Sequence, residues 1–180
     1  MRTPPPPSTL TIDDPIELLL ACHDKVRRFT KLTLSLRDHL ASTGPENAID
    51  TSSRDAAQAI LRYFNLAAPL HHDDEELDLF PALQAIGATS LSADMGQLAD
   101  EHTTLNKLWH SLLPWLEATA AGQHHAPPDT LEAFASSHDR HAQREEELIY
   151  PDAIHLTPAQ LRQISDAMVA RRTQGSSAKP

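Results

Sequence analysis

Residues 91–120 read LSADMGQLADEHTTLNKLWHSLLPWLEATA, and Leu91, Met95, Leu98, His102, Leu105, Trp109, Leu112 and Leu116 recur along them at alternating intervals of four and three. That spacing follows one face of an α-helix, whereas a half-buried strand alternates by two. The segment therefore predicts a helix from about residue 92 to residue 120, with Pro114 as a kink point. Its inward stripe is apolar except at one position. A histidine stands there, where a core side chain is expected.

The same anomaly recurs on three flanking segments. A first helix begins near Asp13, Asp14 and Pro15, where acidic caps and a first-turn proline favour a start, and runs to about Ala41 before STGPEN breaks it. Ile16, Leu19, Leu20, His23, Val26 and Thr30 share its inward face. A second, from about Ser53 to Ala85, presents Ile60, Phe64, Ala67, His71, Glu75, Leu79 and Ala82, and Pro69 should kink it or disturb its hydrogen-bond ladder. The last long helix, capped at Asp129 after GQHHAPPD, presents Leu131, Phe134, His138, His141, Glu145 and Leu148. A shorter one, from Thr157 and Pro158 to about Ala170, can pack Leu161, Ile164 and Met168 against the rest.

Four long helices with short links predict an all-α, up-and-down four-helix bundle with a short C-terminal extra helix, spanning residues 12–170. MRTPPPPSTLT predicts a disordered proline-rich arm over residues 1–11, and RRTQGSSAKP a disordered tail over 171–180.

The chain has 180 residues, enough for one domain, and its 25 acidic against 15 basic residues leave a formal charge of −10. That charge repels phosphate backbones and anionic lipid surfaces, so neither nucleic acid nor membrane is expected as a partner. Cys22 is the only cysteine and can close no intramolecular disulfide. No signal-peptide core or membrane-length apolar run is present, which predicts a soluble, cytoplasmic protein.

Eleven histidines in this length point toward metal chemistry, and two of them open a repeated phrase. HHDDEELDLFP starts at His71 and HAQREEELIYP at His141. Aligned on Pro81 and Pro151, the copies pair Glu75 with Glu145, Glu76 with Glu146 and His71 with His141, so His72 falls on Ala142 and His71 is preferred as the functional residue. A His and a Glu four positions apart share one helical face, and each pair can grip one metal centre.

Two carboxylates and four imidazoles on otherwise apolar stripes, with no Lys or Arg among them, are costly to bury without cations. Two divalent or trivalent metal ions supply that charge. Mixed His and Glu ligation without thiolate suits iron, or second to it manganese, better than a structural zinc site.

In these residues the chain resembles hemerythrin-like proteins, the HHE cation-binding domain. The resemblance runs from about Pro15 to Pro151 and rests on His23 in LLLACHDKVRRF, His102 in ADEHTTL and the two repeated stretches. It implies a four-helix bundle holding two non-heme irons, oxo- or hydroxo-bridged. Glu75 and Glu145 would be the carboxylate bridges, and His23, His71, His102 and His141 the terminal ligands.

Oxygen-carrying hemerythrins have His-x-x-x-His on the third helix, where this chain has Asn106 after His102; they also place an acid five residues beyond the fourth-helix histidine, where Glu146 stands here. The pattern looks more like hemerythrin-like domains linked to iron, oxygen or nitric oxide sensing and to iron-sulfur repair. With fewer histidines each iron keeps an open position. The expected partner is a small diatomic ligand or peroxide, met for sensing, storage or stress protection. A di-iron enzyme turning over peroxide or NO, with Asn106 or His138 donating a hydrogen bond to the ligand, is the alternative, as is an iron- or oxygen-responsive regulatory module.

The remaining polar residues have plainer readings. His138 and His72 are further candidates for the metal shell, and Asp73, Asp74, Glu76, Glu146 and Glu147 form a solvated acidic rim able to orient histidines. Cys22 reads as a small buried hydrophobe, and His39, His110, His124, His125 and His155 as surface or loop residues.

Overall fold

The computed structural model describes residues 11–177, so the expected N-terminal arm, but for Thr11, lies outside the described residues. Helix α1 (Pro15–Thr43) starts where Asp14 accepts hydrogen bonds from the backbone N–H groups of Ile16 (2.8 Å) and Glu17 (3.2 Å), satisfying donors that a helix start leaves unpaired. It ends at Gly44, whose φ of 81° is open to glycine at little cost. Asp50 caps the next rod through the Ser53 N–H at 2.8 Å.

That second rod runs from Thr51 to Ala85 as α2 (Thr51–Arg62), a π turn (Tyr63–Ala67), α3 (Ala68–Asp74), a second π turn (Glu75–Leu79) and α4 (Phe80–Ala85). The disturbance expected at Pro69 takes this form. A proline lacks the N–H that would reach four residues back, and its ring crowds that carbonyl. The chain yields by widening one turn, with the Ala68 N–H bonding to Tyr63 O, and it repeats the device before Pro81, with the Phe80 N–H on Glu75 O. Helix α5 (Ser92–Ala120) runs unbroken through Pro114, and α6 (Leu131–Leu148) begins at a Thr130 cap rather than Asp129.

Rods α1, α2–α4, α5 and α6 pack as a ring in which α1 touches α2 and α6, and α5 touches the same two. This is the expected up-and-down bundle. Two apolar clusters fill its ends. One gathers Val26, Ile60, Phe64, Trp109, Leu112, Trp115 and Phe134; the other gathers Leu19, Leu79, Leu83, Met95, Leu98, Ile149 and Met168. Each rod passes from one cluster to the other through its histidine, as Leu19, His23 and Val26 do on α1. Leu20, expected on that inward face, is 40% exposed, because it sits a further 100° or so around the helix from buried Leu19.

The C-terminal boundary needs correction. Helix α7 spans Pro158–Ser177, well past residue 170, and packs against α1 and α3. Arg171 and Arg172, expected in a disordered tail, both pair with Asp74, and Arg171 also reaches Asp78 at 2.7 Å. Asp74 is fully buried rather than part of a solvated rim. A buried carboxylate requires cationic partners, and the two arginines provide them. No helix among the described residues is long and apolar enough to cross a membrane.

Candidate metal centre

Between the two apolar clusters lies a polar layer made by all four rods. His23, His71, His102, His141, Glu75 and Glu145 are each buried, and Glu75 and Glu145 are fully so. Glu145 Oε2 lies 3.1 Å from His23 Nε2, while its Oε1 lies 3.0 Å from His141 Nε2 and 3.5 Å from His102 Nε2. Glu75 Oε2 stands 3.5 Å from His102 Nε2 and 3.7 Å from His71 Nε2. Each carboxylate thus faces imidazoles from more than one rod, as a bridging group must.

The donor atoms form two adjoining groups able to hold a metal ion: His23, His71, Glu75 and Glu145 in one, His72, His102 and His141 in the other. All six residues selected from the sequence are present. His72 joins beside His71 rather than in its place, its ring stacked on that of His102 with centroids 3.9 Å apart. His138 does not join. Its Nδ1 donates to Phe134 O at 2.8 Å and its ring packs edge-on to Phe64 and Phe134, so it is a core imidazole, with a pKa lowered by burial to about 4.

A ring of carboxylates turns the histidines inward. Nδ1 of His102 donates to Glu76 at 2.6 Å, Nδ1 of His23 to Glu146 at 2.9 Å, and Nδ1 of His141 to Glu101 at 3.0 Å. With Nδ1 so engaged, Nε2 is left to face the centre. The second glutamate of each repeat therefore has a function of its own, since it orients a histidine on another rod. Glu101 escaped the sequence reading, although it directly precedes His102 and is itself held by Arg144. Tyr150 was also missed as a site residue; its hydroxyl donates to Glu75 and lies 3.2 Å from His23 Nε2.

Electrostatics show what the layer lacks. Burial opposes charge on His23, His102 and His141, yet neighbouring carboxylates, Glu145 foremost, overcome it and raise all three pKa values, that of His102 to about 10. His71 moves the other way, lowered by burial. Burial likewise works against ionised Glu145, but His102, His141 and His23 hold its pKa well below the usual range. Protons on imidazoles thus balance buried negative charge in the metal-free protein. Even so, the 3.0 Å approach of Glu145 Oε1 to His141 Nε2 is an ion-pair contact not directed as a hydrogen bond, and Glu75 Oε2, Nε2 of His102 and Nδ1 of His71 are likewise buried without a directed hydrogen bond. Four of these five atoms face the centre. Orphans of this kind are costly, and cations placed among them would satisfy them.

A family model for the hemerythrin HHE cation-binding domain matches residues 14–153. The chain belongs to that family. An uncharacterized protein of Haemophilus influenzae is 36% identical over 168 residues, which cover 93% of this chain and 95% of that protein. The hemerythrin domain match stops before α7, so the Arg171 and Arg172 clamp on Asp74 lies outside it. Asn106, where oxygen-carrying hemerythrins have a histidine, is exposed here on the wall of a cavity of about 560 Å³. That cavity also reaches His72, His102 and Glu76 and opens beside the donor layer on its α3–α5 side.

Proposed function

We propose that this hemerythrin-like cation-binding protein holds two non-heme irons, which meet O2, NO or peroxide in sensing, storage or stress protection in the cytoplasm. His23, His71, His102 and His141 would hold the irons with Glu75 and Glu145 between them, and the pair would supply redox-active positions for a small ligand. The orphaned donor atoms facing one another across the bundle carry this reading. Four imidazoles and two carboxylates without thiolate favour iron, with manganese the nearest competitor.

The residues around the donors have separate tasks. Glu76, Glu101 and Glu146 fix imidazole orientation, the apolar clusters above and below keep water out, and the cavity beside His102 admits a ligand. Anaerobic addition of O2, NO and peroxide in turn to the di-ferrous protein tests the proposal. Absorption changes with at least one of them are expected; no response to any would overturn it.

Turnover of peroxide or NO is a second reading, favoured by Tyr150. Its phenol is kept protonated by burial and by Glu75, and it holds a proton against that carboxylate within the centre. Sustained consumption of either substrate with added reductant, slowed in Tyr150→Phe, would separate this enzyme from a stoichiometric binder.

A further inference from the structure

His72 lies where the donor cluster meets the cavity. Its neighbours are imidazoles on three sides: His102 stacked at 3.9 Å and 13°, His71 at 5.8 Å, and His141 edge-on at 6.2 Å. Its ligating atom lies no more than 4.8 Å from those of His102 and His141. Three nitrogens bound to one ion at about 2.1 Å lie roughly 3.0–3.6 Å apart, so ligation by all three takes a side-chain shift of at most about 1–2 Å. His23, His102 and His141 each engage a carboxylate, whereas no hydrogen bond is formed by the His72 ring among the described residues. An imidazole without a partner, enclosed by other imidazoles and open to the cavity on one edge, is poorly explained as packing.

We propose that His72 is a metal ligand, completing with His102 and His141 a three-imidazole face on the cavity side of the centre. The proposal rests on the di-iron reading above. Asn106 is exposed on the same cavity wall. His72 lines that cavity and is the least buried of the three imidazoles, so removing it should open its position on the ion to an outside anion.

The test uses the full chain loaded with iron, with azide as the probe. His72→Ala and His72→Phe are both expected to keep two irons, to change the near-ultraviolet absorption, and to bind azide at least about tenfold more tightly than the unaltered protein. Added imidazole should reverse the change in His72→Ala, where it can enter the vacated space, and not in His72→Phe. A His72→Phe protein that matches the unaltered one in absorption and azide affinity would mean that His72 only stacks, and would overturn the assignment. So would His72→Ala protein holding two irons with unchanged azide affinity. An unaltered protein that takes up no iron would overturn the di-iron reading itself, a distinct result.

Discussion

The two halves of the metal layer are written by one repeated phrase yet end in different surroundings. On the first, His23 stacks on Tyr150, whose hydroxyl closes over Glu75, and His71 packs edge-on to His23. On the second, His102 and His141 face His72 and the cavity. The difference comes from a few positions in the repeat. Tyr150 corresponds to Phe80, which has no hydroxyl to donate. Arg144 corresponds to Asp74, so one copy supports His141 through Glu101 while the other depends on α7. A duplicated binding phrase can thus build one sealed and one accessible position.

Glu145 touches imidazoles of three rods and Glu75 those of two, which makes the first carboxylate the larger loss. Glu145→Ala is expected to reduce bound iron to near zero, whereas Glu75→Ala retains part of it, as elemental analysis after iron loading would read. Equal losses would erase the distinction between the carboxylates.

The dependence on α7 is next in size. Replacing Arg171 and Arg172 together by Ala strands a buried carboxylate, which costs on the order of 3 kcal/mol. Thermal unfolding should then fall by roughly 10 °C for a chain of this size. Restoration by Asp74→Asn in the same background would locate the damage at that carboxylate.

Tyr150→Phe makes the sealed half resemble its Phe80 counterpart. Loss of a buried hydrogen bond to a carboxylate costs roughly 1.5–3 kcal/mol, measurable by urea denaturation of the metal-free protein. A variant with unchanged stability would show that the phenol does not hold Glu75.

Protonation divides the histidines within each half, with His23 raised and His71 lowered in one, and His102 and His141 raised and His72 lowered by burial in the other. The His102 pKa is raised from its ordinary 6.5 to about 10, so its contribution to the metal-free fold is complete below pH 6.5 and is lost as pH rises through 10. His71, lowered by burial, works in the opposite sense and destabilises the fold as pH falls below 6.5. Metal-free protein should therefore unfold more easily toward both limits, with His102→Gln flattening the alkaline loss in a pH series of melting curves. Iron loading has a single sense, weakening toward acid as protons compete for the same nitrogens.

The four rods were legible because a histidine on a period of three and four disturbs an otherwise apolar stripe, and the six site residues followed from the repeat and its resemblance. What escaped notice depends on contacts between rods. Glu101 gives no local sign that it supports His141, forty residues away in the chain. The last ten residues looked disordered by composition, yet Arg171 and Arg172 continue a helix because a buried aspartate nearly a hundred residues earlier needs them. His72 ranks below His71 in the sequence, as a further candidate for the metal shell, because the repeat pairs it with Ala142; it departs from the repeat where the cavity opens.

A dinuclear iron site is the function proposed for this layer. Anaerobic ferrous titration of the metal-free chain, with bound iron measured after removal of the excess, tests it most directly. Saturation at two irons per chain, with protons released on binding, is the expected result. Saturation at one iron, or no uptake, would contradict it.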